Sequence, residues 1–247
     1  MLSQKELKVL NYVESSRGEL VERVKEFVKI PTVNPPGEHY EEMAEVLARR
    51  LDEAGLEVKV ISVPREELSR YSLELPRYVV VGVLRGKEGG RKLVLNGHYD
   101  VVPAGHGWST DPFQPIVRDG RIYGRGSADM KGAIASMITA VKAIKVSNIV
   151  LKGDLYLTFV PDEEIGGHLG SGYLVKNKLI PGDACIIGEP TNAYSLVTAQ
   201  KGALWLELVT HGKAAHGSMP HLGINAVEKM AMVIVAFEKL KNEFAKY

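Results

Sequence analysis

Apolar positions in the first part of the chain recur at helical spacing. In "RGELVERVKEFVKI" (17–30), Leu20, Val24, Phe27 and Val28 share one face, and "PTVNPPG" then stops the helix. A second amphipathic helix is predicted from about 38 to 54, ending at Gly55. Beyond it the period shortens to two: "LEVKVISV" alternates, while "YVVVGVL" and "KLVLNG" are β-branched apolar runs separated by Gly and Pro. Residues 64–77, rich in Glu and Arg, read as a solvated connector. "DMKGAIASMITAVKAIKV" (129–146) is apolar almost all round and predicts a helix packed on a sheet. A strand "DLYLTFV", a helix near 169–179 and a strand "DACIIG" continue the alternation. The order predicts an α/β fold, a mixed and largely parallel sheet with helices on both faces.

Composition narrows the partners. The 247 residues are 45% hydrophobic and 25% charged, an ordinary globular balance with room for one large core or two modest domains. Basic and acidic residues number 31 and 30, with no long single-sign block, so neither nucleic acid nor a membrane surface is expected as a partner. The single cysteine, Cys185, has no internal disulfide partner and reads as a small buried group on a strand, which suggests a reducing, cytoplasmic setting. The N-terminal stretch lacks the apolar core of a signal peptide, and no apolar run reaches the roughly 18 residues of a membrane span. "GRGSADMKG" and "GGHLGSG" complete neither a dinucleotide fingerprint nor a phosphate loop.

Chemistry collects where apolar elements end. "LVLNGHYD" closes on His98 and Asp100, two residues apart and so on one side of an extended chain. "RIYGRGSADMKG" delivers Asp129 to the start of the buried helix. "LTFVPDEEIGG" ends on Asp162, Glu163 and Glu164, and "CIIGEPT" on Glu189. Taken singly, Asp129 reads as a helix cap, Glu163 and Glu164 as a solvated acidic turn, and Glu189 as an ordinary turn residue. Together they form a gathering of carboxylates that is prohibitive to bury without cations, and Lys and Arg do not recur at these ends. Imidazole with carboxylate suits zinc, with cobalt or manganese as substitutes.

"GHYDVVP", "DGRIYGRGSADMKG", "DEEIGG" and "GEPT", in that order over about 110 residues, resemble the di-zinc metallopeptidase family that includes acetylornithine deacetylase, succinyl-diaminopimelate desuccinylase, aminoacylase and glutamate carboxypeptidase. The resemblance implies that His98 and Glu189 hold one metal, that Glu164 holds the second, and that Asp129 bridges them. It makes Asp100 the residue that orients His98. It makes Glu163 the general base for a metal-activated water attacking the amide of an N-acyl amino acid or short peptide, since adjacent residues on an extended chain face opposite ways and the pair can give Glu164 to metal while keeping Glu163 for proton transfer. "KAAHGSMPH" places His216 where the family, from a partner subunit's smaller domain, stabilises the oxyanion. His39, His106, His168, His211 and His221 match no ligand position and are expected to be structural or surface groups.

The same resemblance predicts residues 1–200 as the metal-binding catalytic segment and 201–247 as a partial α+β lid or dimerisation domain. In the family the returning part of the catalytic domain adds a further histidine to the metal held by Glu164, and no histidine follows His221 here. Relative to that family the chain reads as C-terminally truncated. Its second metal site is accordingly expected to be weakened and its activity doubtful, unless a complementing chain supplies the rest. "GALWLELVTHG" is expected to be an exposed edge strand, and a helix over 225–246 presents an apolar stripe from Met230 to Phe244, so a homodimer is expected. The competing reading is a catalytically silent homologue that binds metal or a partner chain.

Overall fold

The computed structural model describes residues 2–192 and 194–244. Three helices, α1 (Gln4–Ser15), α2 (Arg17–Lys29) and α3 (Tyr40–Glu53), precede strand β1 (Glu57–Ser62). A short helix α4 (Arg65–Arg70), strands β2 (Tyr78–Leu84) and β3 (Leu93–His98), and a small hairpin of β4 (Ile116–Arg118) and β5 (Arg121–Tyr123) follow. Helix α5 (Lys131–Val146), strand β6 (Leu155–Val160), helix α6 (Ser171–Lys176) and strand β7 (Ala184–Ile187) complete the larger unit. The chain divides into two compact units between Ser195 and Leu196.

The main sheet has the order β1-β2-β6-β3-β7. Pairing is antiparallel between β1 and β2 and between β2 and β6, and parallel between β3 and both β6 and β7. The sheet is therefore mixed as expected, and four strands run one way with β2 opposed. Alternation sorts the side chains: Val80, Leu157 and Phe159 join the core beneath α2, α3 and α5, while Val79, Val81 and Tyr156 join a second cluster with Leu174 of α6. Every residue of the central strand β6 is buried, which is why it reads as a continuous apolar run.

Close approach of α5 to β3 depends on Gly97. A Cβ there would lie 2.9 Å from Met130 Cε and 3.1 Å from Ile134 Cγ1, so a larger residue would have to displace the side chains by which the start of α5 packs on β3.

Three expectations need correction in this unit. Residues 64–77 are not merely a solvated connector: α4 buries Leu68, and Arg77 is fully buried. Cys185 lies on β7 but is exposed, because β7 is the edge of the sheet and all four of its residues are exposed. Glu163–Ile165 is a single 3-10 turn rather than extended chain, since Asp162 takes a left-handed conformation (φ 65°) directly after the strand. In addition, the N-terminal stretch, for which no element was predicted, forms α1. It is started by a capping box in which Ser3 Oγ accepts from the Glu6 N–H and Glu6 accepts from the Ser3 N–H.

In the second unit, α7 (Ala226–Phe244) matches the expected helix, whose residues 245–246 lie outside the described ones. The strand expected within 202–212 is absent. Among the described residues of this unit the only strand-type pairing is the isolated bridge Lys213–Ile224, and an alternating sequence without a hydrogen-bonding neighbour has no ladder to join. Among the described residues no helix is long and apolar enough to cross a membrane.

Candidate metal centre

Parallel register brings the chemistry to one edge of the sheet. His98 ends β3 opposite Val160, the last residue of β6, and β7 runs beside β3 with Ile187 opposite Asn96. The chain leaving β6 carries Glu163 and Glu164, and the chain leaving β7 carries Glu189. Asp129 enters from the approach to α5. Ligands gather beyond carboxyl strand ends because the strand bodies stay apolar while the loops are free to be polar.

His98, 2% exposed, is the hub. Its Nε2 lies 3.0 Å from Asp129 Oδ1, 3.7 Å from Glu189 Oε1 and 4.0 Å from Glu163 Oε2. Two sets place their ligating atoms within 4.8 Å of one another: His98 with Glu163 and Glu189, and His98 with Asp129 and Glu164. Of the seven polar groups read from the element ends, His98, Asp129, Glu163, Glu164 and Glu189 thus meet, although the sets divide differently from the division implied by resemblance, and Glu163 lies at ligand range. Among the described residues no Lys or Arg comes within 4 Å of these four carboxylates. His216 lies in the second unit, its Nδ1 accepting the Ser218 N–H at 3.3 Å and 2.8 Å from the Ser218 hydroxyl.

Asp100, 0% exposed, stands behind the hub. His98 Nδ1 is 3.0 Å from the Asp100 backbone carbonyl and 3.4 Å from its carboxylate Oδ1. A carbonyl only accepts, so Nδ1 carries a proton and Nε2 faces the carboxylates. Asp100 also accepts the backbone N–H groups of Glu163 and Glu164, each at 3.2 Å. Three further buried residues, none of them nominated for the site from the sequence, complete the support. Asn34 Nδ2 donates to Asp100 Oδ2 and to Asp162 Oδ1, and Arg77 Nε donates to both Asp162 oxygens. Lys131 Nζ, also buried, donates to the Phe27 and Ile30 carbonyls and ties α5 to the end of α2.

The electrostatics follow from one imidazole facing several acids. Burial alone would lower the pKa of His98, but Asp100, Glu189 and Glu163 outweigh it and raise the imidazole to about 9. Burial, aided by Asp129 and Glu163 and opposed by His98, pushes Glu189 up to about 7. Burial likewise raises Glu164 and Asp162, the latter despite Arg77. Burial lowers Lys131 to about 7 against the pull of Asp100. A raised folded-state pKa gives stability that is present below the unfolded value and lost as pH climbs through the folded one. Glu189 therefore loses stability from about 4.5 to 7 and His98 from about 6.5 to 9. Lys131 has the opposite sign and gains between about 7 and 10.5. In chelator, the melting temperature is expected to fall from pH 5 to 7 and to level off from 7 to 9, where His98 and Lys131 oppose each other. A scanning-calorimetry series in which melting temperature rises steadily from pH 5 to 7 would contradict this charge arrangement.

Comparison with known proteins places the pattern. Residues 94–240 match the sequence profile of peptidase family M20/M25/M40. An uncharacterised metallohydrolase of Methanocaldococcus jannaschii is 33% identical over 222 residues, covering 84% of this chain and 53% of that protein. Acetylornithine deacetylase of Photorhabdus laumondii is 36% identical over 208 residues, covering 84% of this chain and 50% of the enzyme. Among solved structures, human carnosine dipeptidase 1 superposes with a TM-score of 0.63 at 25% identity, over 83% of this chain and 43% of its own. The chain spans about half the length of the curated relatives it matches.

Proposed function

The chain belongs to peptidase family M20/M25/M40, and from that premise we propose that it forms the metal-binding part of a hydrolase cleaving the amide bond of N-acyl amino acids or short peptides. The observation that carries the proposal is the convergence of Asp129, Glu163 and Glu189 on His98 Nε2 with no Lys or Arg among the described residues within 4 Å of them. Such a donor set fits divalent cations, and its mixture of imidazole and carboxylate favours zinc, with cobalt or manganese as substitutes. His98 and Glu189 would hold one ion and Glu164 the other, with Asp129 serving both. When bound, such ions lower the pKa of water towards neutrality and polarise a carbonyl oxygen.

The rest of the work falls to this chain's own groups. Asp100 keeps the Nδ1 proton in place and so presents Nε2 as the ligating atom. Glu163, the more exposed of the paired glutamates, accepts the proton of the water that adds to the amide carbon and returns it to the amine as the C–N bond breaks. By the resemblance, His216 would serve the developing oxyanion in a partner subunit's site, and its Nδ1, engaged by the Ser218 N–H, leaves the Nε2–H as the donor. The activities named for acetylornithine deacetylase and carnosine dipeptidase support an acylated amino acid or dipeptide as substrate.

Titration of chelator-treated protein with Zn2+, Co2+ or Mn2+ tests the proposal, followed by assay of the loaded protein on N-acetyl amino acids and dipeptides. At free ion about 100 times Kd, binding should add about 2.7 kcal/mol and raise the melting temperature by about 5–10 °C. No calorimetric binding and an unchanged melting temperature would remove the metal reading.

A further inference from the structure

We infer that Arg77 is a positioning residue for this centre, acting through Asp162 to hold the turn that carries Glu163 and Glu164. The inference deepens the metal-site reading and rests on it.

The register of the sheet explains why these two residues meet across 85 positions of sequence. In the antiparallel β2–β6 pair, Val80 lies opposite Phe159, and continuing the count past both strand ends brings Arg77 opposite Asp162. Neither side chain has access to water: Arg77 is 0% and Asp162 1% exposed. The guanidinium is fixed on all sides. Its Nε donates to Asp162 Oδ1 and Oδ2 at 3.0 and 2.9 Å, one terminal nitrogen donates to the Leu75 carbonyl at 2.8 Å, and the other to the Pro36 carbonyl at 3.0 Å. Its Cζ sits 5.1 Å over the Tyr40 ring, whose hydroxyl donates to Asp162 Oδ1. Gly37 makes room for it, since a Cβ there would stand 2.8 Å from Cζ.

The carboxylate so held belongs to the residue that turns the chain. Asp162 has φ 65°, a left-handed conformation that a side-chain-bearing residue keeps only when its surroundings over-determine it. The next two residues are Glu163 and Glu164, whose N–H groups are collected by Asp100, and Asn34, 1% exposed, joins Asp100 to Asp162 through a single amide nitrogen. An unbroken chain of buried hydrogen bonds thus runs from Arg77 to the carboxylate behind His98. A buried ion pair is a poor way to gain stability, because desolvation offsets its attraction and an apolar pair often does as well. Its distinctive output here is the direction in which the Glu163–Glu164 turn leaves β6.

Charge removal on both sides separates positioning from stability. Arg77→Met or Asp162→Asn alone strands a buried charge and should lower the melting temperature. The double variant Arg77→Met/Asp162→Asn should regain much of that loss, yet bind Zn2+ at least about tenfold more weakly than the unaltered chain and show an altered Co2+ absorption spectrum. A double variant with restored melting, unaltered affinity and the parent Co2+ spectrum would overturn the inference. If the Arg77 and Asp162 variants do not fold, Tyr40→Phe, which deletes one hydroxyl contact to Asp162, decides: about threefold weaker Zn2+ binding supports the inference and unchanged binding overturns it. Absence of Zn2+ binding by the unaltered chain takes down the metal-site reading itself, whereas normal binding with indifferent variants takes down the role of Arg77 alone.

Discussion

Glu163→Gln is expected to lower the turnover of an amide substrate by about 10²–10⁴-fold while the protein stays folded, because the amide side chain fills the same space but cannot take a proton from water at neutral pH. The carboxylate is half exposed, and its Oε2 lies 4.0 Å from His98 Nε2, so the substitution removes one negative charge from a site with several. Its effect on metal affinity separates two roles. As a general base, Glu163 should leave Zn2+ affinity within a few-fold of the parent. As a ligand in the set it shares with His98 and Glu189, its loss should weaken binding by more than about tenfold with little residual distinction between kcat and metal occupancy. Steady-state kinetics at saturating Zn2+, together with calorimetric titration, give the two numbers. Parent-like kcat would exclude Glu163 as the base.

His98→Ala should cost more on the binding side. The imidazole belongs to both candidate ligand sets, so its removal dismantles them together, and Zn2+ affinity is expected to drop by more than about 100-fold, beyond the usual effect of an outer-shell change. The metal-free protein should respond too. At neutral pH the protonated ring is the only basic partner within 4 Å of Asp129, Glu163 and Glu189 among the described residues, and without it their mutual repulsion is uncompensated. The variant's melting temperature in chelator should therefore lie further below that of the parent at pH 7 than at pH 5, where Glu189 is protonated in both. Equal Zn2+ affinity in parent and variant would show that the cluster does not depend on this ring.

The parts of the fold that could be read in advance are those whose cause is local. Strand β2 falls on the apolar run "YVVVGVL" because both of its faces are covered, and α5 follows "GAIASMITAVKAI" for the same reason. The Ser3–Glu6 capping box of α1 was equally local and visible as S-x-x-E. Arg77 shows the limit: within "ELPRY" it is indistinguishable from a surface arginine, and its burial comes from a strand register that joins it to a residue 85 positions away. "GALWLELVTHG" shows the reverse, an alternation that implies a strand while the deciding factor, a neighbour to pair with, is not written in the segment. At the site, residue types at four strand and helix ends were enough to nominate His98, Asp129, Glu163, Glu164 and Glu189 as a group, together with Asp100 and Asp162, which stand behind it joined by Asn34. How the glutamates divide was not, because a left-handed Asp162 turns the chain before the pair and undoes the two-sided alternation of an extended strand.

That the nominated ligands leave from four separate places, the end of β3, the lead into α5, the turn after β6 and the exit from β7, has a kinetic corollary. An ion seated among them would work as a clasp, fastening segments that the unfolding chain must pull apart, and would have to be surrendered before any one of them could peel away. Proteolysis under native conditions should then slow in proportion to ion occupancy, with the first cuts in chelated protein falling beside those four exits.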